Sequence, residues 1–103
     1  MEKYCIVFDE VMKKQLEKVA NDVKIKEILK KMFDKIELLG PLAGKLLDSH
    51  AFIYEVKCKR PPIRLYYNYE IKTNEIIIFE YEMKTSEKKQ QKTIEGLRRK
   101  LKS

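Results

Sequence analysis

Residues 52–70, Phe-Ile-Tyr-Glu-Val-Lys-Cys-Lys-Arg-Pro-Pro-Ile-Arg-Leu-Tyr-Tyr-Asn-Tyr-Glu, alternate twice about a double proline. Before the prolines, Phe52, Tyr54, Val56 and Cys58 share one face, and Ile53, Glu55, Lys57 and Lys59 the other. After them, Ile63, Leu65, Tyr67 and Tyr69 oppose Arg64, Tyr66, Asn68 and Glu70. A period of two is the signature of a strand with two different faces. Pro61-Pro62 cannot sit in a central strand and marks the turn. The stretch therefore predicts an antiparallel hairpin. A two-residue loop, Arg60-Pro61, places Lys57 opposite Arg64, and a four-residue loop places it opposite Tyr66. Both keep Glu55, Lys57, Lys59, Arg64, Tyr66 and Asn68 on one face.

Outward from the hairpin, Lys72-Thr73-Asn74 has turn chemistry, with Asn74 suited to a left-handed position. Glu75–Met83 reads as a fourth strand, apolar enough at its start to be central. A Lys72–Asn74 loop sets Arg64 opposite Glu82 and Tyr66 opposite Glu80. Ser86 is a good N-cap for a last helix, Glu87–Leu101, with Ile94, Leu97 and Leu101 as its apolar stripe. Upstream, Leu42–Ala51 has no clear period and reads as a connector. Ile25, Ile28, Leu29, Met32, Phe33, Ile36 and Leu39 recur at helical spacing and stop at Gly40-Pro41. A shorter helix runs from an Asp9 cap to about Ala20, after a first strand at Tyr4–Phe8. The order is β-α-α-β-β-β-α. It predicts one α+β domain over residues 1–103, with a helical hairpin packed on a mainly antiparallel four-stranded sheet.

The chain has 103 residues, which suits one domain and is too short for a cofactor domain plus a substrate domain. No apolar run is long enough for a membrane span or a signal peptide, so the reading is a soluble cytoplasmic protein. One histidine and two distant cysteines argue against a zinc site or a disulfide scaffold. Cys5 and Cys58 read as small packed hydrophobes. Gly40–Lys45 lacks phosphate-loop spacing and follows no strand. His50, in the connector, is a candidate for proton transfer, although a lone loop histidine is more often merely exposed.

The net charge of +7 is unevenly placed, because residues 84–103 hold 8 basic side chains and 2 acidic ones. A localised cationic surface points to a polyanionic partner, usually nucleic acid. Like charges stacked across an antiparallel pair are unfavourable, so Lys57, Lys59 and Arg64 on one face suggest a bound polyanion. The bland alternative is an exposed sheet face on which Glu55, Glu80 and Glu82 neutralise them. Arg60 at the hairpin tip, and Lys88, Lys89, Lys92, Arg98 and Arg99 of the last helix, extend the candidate RNA-binding surface. The helix's N-terminal dipole would add to it, and Tyr66 offers a ring for base stacking.

With Tyr54-x-x-Lys57, then Arg64-Leu65-Tyr66-Tyr67, then the basic stretch Lys84–Thr93, in that order, the chain resembles the RelE/ParE superfamily of type II toxin–antitoxin toxins. The last stretch is similar to the C-terminal segment of RelE/HigB-like members. The resemblance implies a messenger RNA endonuclease, an mRNA interferase that blocks translation in the ribosomal decoding site. Its chemistry is metal- and cofactor-independent: the ribose 2′-hydroxyl attacks the adjacent phosphorus. By position Lys57 matches a catalytic second-strand cation, and Arg64 matches an arginine that grips the phosphate. Crowding by Arg64 would favour a neutral Lys57, competent as a general base. Lys84 is the cation nearest to the family's C-terminal catalytic groups and is, with Lys88 and His50, a candidate proton donor. Glu55 replaces a lysine of the family, and the C-terminal arginine and tyrosine have no counterparts. Such losses also mark ParE-like members, so a DNA gyrase inhibitor or a non-catalytic RNA-binding protein on the same fold is the alternative. The family further implies a small acidic antitoxin partner, with mRNA and the ribosome as targets.

Overall fold

A computed structural model describes residues 3–83 and 86–102. The elements are β1 (Cys5–Phe8), α1 (Glu10–Lys18), α2 (Val23–Leu39), a 3-10 turn (Gly40–Leu42), β2 (Lys45–Asp48), β3 (Ile53–Lys59), β4 (Pro62–Glu70), β5 (Glu75–Met83) and α3 (Glu87–Lys102). One sheet runs β1-β5-β4-β3-β2, with β1 parallel to β5 and the other pairs antiparallel. The expected class and element order hold, with one correction: the sheet has five strands. The fifth, β2, lies inside the stretch expected to be a plain connector. It pairs Lys45 with Glu55 and Leu46 with Tyr54 at the sheet edge. No helix among the described residues is long and apolar enough to cross a membrane.

Local chemistry starts and stops the helices, at Asp9 and Gly40 as expected and also at Asp22. Asp9 accepts a hydrogen bond from the Val11 amide, and Asp22 from the Ile25 amide, each at 3.1 Å. These side chains satisfy backbone donors that the first helical turn leaves orphaned. Gly40 ends α2 at φ +55°, where a Cβ would stand 2.5 Å from the Tyr4 ring. Both the backbone angle and the contact require glycine there.

The helical hairpin covers one face of the sheet. Met12, Leu29, Met32 and Ile36 pack there against Tyr54, Val56, Ile63, Leu65, Tyr67, Ile76 and Ile78. α3 covers the opposite face, where Ile94 and Leu97 meet Ile53, Tyr66 and Phe79. The β3–β4 loop is the two-residue one, so Lys57 pairs with Arg64. Between β4 and β5 the outcome is subtler. Glu70 pairs with Glu75, leaving a loop one residue longer than expected, and a bulge then shifts the register between Tyr66 and Tyr67. The bulge inserts Phe79 and restores the expected pairs, Tyr66 with Glu80 and Arg64 with Glu82. Consequently Ile76 and Ile78 face the hairpin, while Phe79 reaches the α3 side.

Cys5 is exposed rather than packed, because β1 is an edge strand with alternate residues turned outward. Cys58 is half-buried, its thiol directed at the Arg60 carbonyl.

Candidate functional site

The two-residue β3–β4 loop sets Lys57 and Arg64 side by side on the face that α3 covers. Neither stands alone. Glu55, two residues before Lys57 and therefore on the same face, has a side chain only 3% exposed. One of its oxygens, Oε2, lies 3.6 Å from Arg64 Nη1 and accepts a hydrogen bond from Gln90 Nε2 at 2.8 Å. The other, Oε1, lies 3.9 Å from Lys57 Nζ. Both ion-pair distances exceed hydrogen-bonding range, so Glu55 offsets the two cations without occupying their donors.

Arg64 is 11% exposed, and its Nε is buried with no hydrogen-bond partner among the described residues. An unpartnered buried guanidinium nitrogen is costly, and an anion at this spot would satisfy it. Lys57 is 53% exposed and stands at the mouth. Arg64, Lys57 and Glu55 open onto a cavity of about 240 Å³, completed by Lys45 from β2 and by Gln90, Gln91 and Arg98 from α3. The lining thus carries four cationic side chains and one carboxylate. Ser86 caps α3 by accepting from the Lys89 amide, and Gln90 and Gln91, about one turn into the helix, line this cavity. The residues of the helix start itself, Ser86 to Lys89, do not line the cavity.

Several expectations for individual residues need correcting. Tyr66 is fully buried beneath α3, so its ring is not available for base stacking. Its hydroxyl donates to Glu82 Oε1, whose other oxygen accepts from Thr93 at 2.9 Å. Burial first, and the Glu82 hydrogen bond second, push the Tyr66 phenol well above its ordinary pKa. Glu82, although paired with Arg64 across the ladder, is committed to Tyr66 and Thr93; the neutralising carboxylate is Glu55. Asn68 also serves structure, donating to the Ala51 and Phe52 carbonyls at 2.7 and 3.2 Å. There it holds a turn in which Phe52 takes φ +55°.

The remaining candidates divide by exposure. Lys88, Lys89, Lys92 and Arg99 are exposed on α3 and do not line the cavity. Arg98 does line it, and its Nε donates to Asp48 Oδ2. Lys59 and Arg60 are exposed at the hairpin tip. His50 is exposed in the turn after β2, on the lining of a different cavity beside Leu101. Lys84 lies outside the described residues. Sequence reasoning missed Lys45, hidden in the aperiodic connector, and placed Glu55 only among neutralising groups.

The structure is similar to solved chains of bacterial toxins. A chain of the intact Escherichia coli RelBE toxin–antitoxin complex matches with a TM-score of 0.65 at 24% identity, over 81% of this chain and 99% of that one. The isolated E. coli RelE toxin matches with a TM-score of 0.66 at 20% identity, over 91% and 98%. The fold is that of the RelE toxins. A chain of the Mycobacterium tuberculosis RelBE2 toxin–antitoxin complex shares it at 17% identity and a TM-score of 0.55, over 84% and 97%. No protein-family model and no curated protein sequence matches the chain. The RelE fold accounts for the architecture; at these identities the roles of side chains rest on this chain's own geometry.

Proposed function

We propose that this chain is the toxin of a type II toxin–antitoxin pair and cuts messenger RNA on the ribosome, in the cytoplasm. The observation that carries the reading is Arg64: nearly buried, its Nε without a partner among the described residues, beside Lys57 on the lining of a cationic cavity with room for a phosphate. The RelE fold supports the same reading. In such a reaction the ribose 2′-hydroxyl attacks phosphorus, and charge builds on the non-bridging oxygens. A guanidinium already fixed there supplies stabilisation without reorganising. Arg64 suits that work better than a lysine, because its planar fork can hold two phosphate oxygens at once.

The antitoxin belongs to the proposal as well, two structural neighbours being toxin–antitoxin complexes. The groove between α1 and α2 is lined by apolar Leu16, Ala20, Val23 and Phe33, with Lys26 and Lys30 outweighing Glu27 among its charged residues. An amphipathic helix with acidic flanks would fit it. A small acidic chain encoded beside this one and co-purifying with it is the expected partner.

The test is cleavage of ribosome-bound message by wild type and Arg64→Ala. Wild type is expected to cut, and the variant to lose cutting by about 100-fold or more. Equal cutting by both removes the assignment. Inhibition of DNA supercoiling with no RNA cut would move the protein to the gyrase-directed reading.

A further inference from the structure

Glu55 departs from the lysine that the resemblance leads one to expect, yet it is the most buried charged group in the cavity. A carboxylate placed only to neutralise cations would be expected to bond them directly. Here it does not: Arg64 and Lys57 stand at 3.6 and 3.9 Å, and among the described residues the one hydrogen bond to its carboxylate comes from a neutral amide, Gln90. Gln90 fixes Oε2 and leaves Oε1 on the side of Lys57. The cavity therefore presents an oriented carboxylate oxygen and an ammonium side by side, with an arginine below them. At neutral pH a carboxylate is a base and an ammonium an acid.

We infer that Glu55 and Lys57 share the proton transfers of the cleavage reaction, Glu55 Oε1 as general base and Lys57 Nζ as general acid. The inference rests on the proposed ribonuclease function and reverses the role first expected of Lys57. The 2′-hydroxyl gives its proton to Glu55 as its oxygen bonds to phosphorus. The bond from phosphorus to the 5′-oxygen breaks, its electron pair going to that oxygen, which takes a proton from Lys57. The products are a 2′,3′-cyclic phosphate and a 5′-hydroxyl. Protonated Glu55 and neutral Lys57 then exchange the proton through water, restoring both groups.

The experiment compares wild type, Glu55→Gln, Lys57→Met and Arg64→Ala on ribosomes carrying one defined message in three forms. The first is natural RNA, the second has a 2′-deoxyribose at the cut, and the third has sulfur in place of the 5′-oxygen. Sulfur leaves without a proton, so it rescues a missing acid and not a missing base. Glu55→Gln is expected to cut natural RNA about 100-fold or more slowly, with no rescue by sulfur. It should bind the uncuttable 2′-deoxy message as tightly as wild type or tighter, which separates chemistry from folding and binding. Lys57→Met is expected to be slow on natural RNA and restored on the sulfur form. Wild-type rates from Glu55→Gln overturn the base, and a Lys57→Met defect unchanged by sulfur overturns the acid. If Glu55→Gln binds the 2′-deoxy message more weakly in proportion to its slower cutting, the role is structural and the inference fails. If wild type and Arg64→Ala are equally inert, the ribonuclease reading itself fails first.

Discussion

Asp48 ties the added edge strand to α3, and replacing it separates two contributions that the structure keeps distinct. Its Oδ1 accepts from the His50 and Ala51 amides at 2.9 and 3.0 Å, closing the turn that leads into β3. Its Oδ2 accepts from Arg98 Nε on α3. Asp48→Asn keeps an acceptor for the turn and loses the ion pair. That pair is partly exposed, 42% at Arg98 and 10% at Asp48, so its loss costs about 1 kcal/mol. Asp48→Ala also removes the acceptor of both amides, leaving the part-buried Ala51 donor unpaired, and costs about 2–3 kcal/mol. For a domain of this size about 1 kcal/mol moves the melting midpoint by roughly 4–8 °C. The alanine variant should therefore melt well below the asparagine one.

The same carboxylate predicts a pH dependence. The Ala51 amide chiefly, then the hydrogen bond from Arg98, hold the Asp48 carboxyl below its usual range against the opposing effect of burial. A pKa lower in the folded than in the unfolded chain contributes stability above about pH 4, the unfolded value, and loses it as the pH falls through the folded one. The gap between wild type and Asp48→Ala should narrow in acid. Thermal melts of the three proteins from neutral pH down to strong acid measure it. Equal midpoints for the two variants, or a gap that ignores pH, would refute the reasoning.

Four further predictions concern the scaffold. Gln15 in α1 donates to the Tyr81 carbonyl and accepts from its amide, at 2.8 and 2.9 Å, beyond the reach of β1; Gln15→Ala should cost about 1–2 kcal/mol in urea melts and speed exchange of the Tyr81 amide. Tyr66→Phe removes the hydroxyl bonded to Glu82 and should cost about 1.5–3 kcal/mol, the value of a hydrogen bond to a charged group. Gly44→Ala would set a methyl 2.3 Å from the Glu55 carbonyl oxygen, forcing β2 from β3; a loss of about 1–3 kcal/mol is expected. Burial pushes the Glu80 carboxyl up, its folded pKa standing above the unfolded one, so its charge is a cost at neutral pH. Glu80→Gln should melt at or above wild type at pH 7, an advantage that fades as the pH falls and wild-type Glu80 takes up its proton.

The hairpin and its two faces were legible because its sides alternate strictly about a double proline, while its register stayed open between two loop lengths until the structure fixed the shorter one. β2 was not. It has four residues and a single neighbour, and Lys45 and Leu46 are both exposed, so no alternation marks it. The bulge was invisible for a different reason. A loop one residue longer and one extra residue in β5 cancel beyond Phe79, so the pairs at Arg64 and Tyr66 come out the same either way. The burial of Tyr66 could have been inferred. Ile53 and Tyr66 share its face of the sheet, and the apolar stripe of α3 needs an apolar surface once the hairpin has taken the opposite side. The position of Glu55 relative to Arg64 and Gln90 was beyond reach, since it depends on where α3 lies along the strands.

That placement divides the positive charge by depth. Lys88, Lys89, Lys92 and Arg99 lie outward on α3, where water and salt screen them. Arg64 lies beneath the helix, where screening is weak and its pairing with Glu55 is loose. Surface cations govern the approach of a polyanion, with a steep dependence on ionic strength; a buried guanidinium governs how the reacting phosphate is held. The two steps should therefore separate experimentally. On the proposed function, added salt should weaken association with message-bearing ribosomes while leaving the cutting rate of the saturated complex nearly unchanged. Neutralising Lys88, Lys89 and Lys92 together should flatten the salt dependence of binding. Arg64→Ala should do the reverse, leaving encounter intact and abolishing the cut. If the triple lysine variant lost cutting at saturation as completely as Arg64→Ala does, the outer cations would be part of the reaction centre, and the division by depth would be wrong.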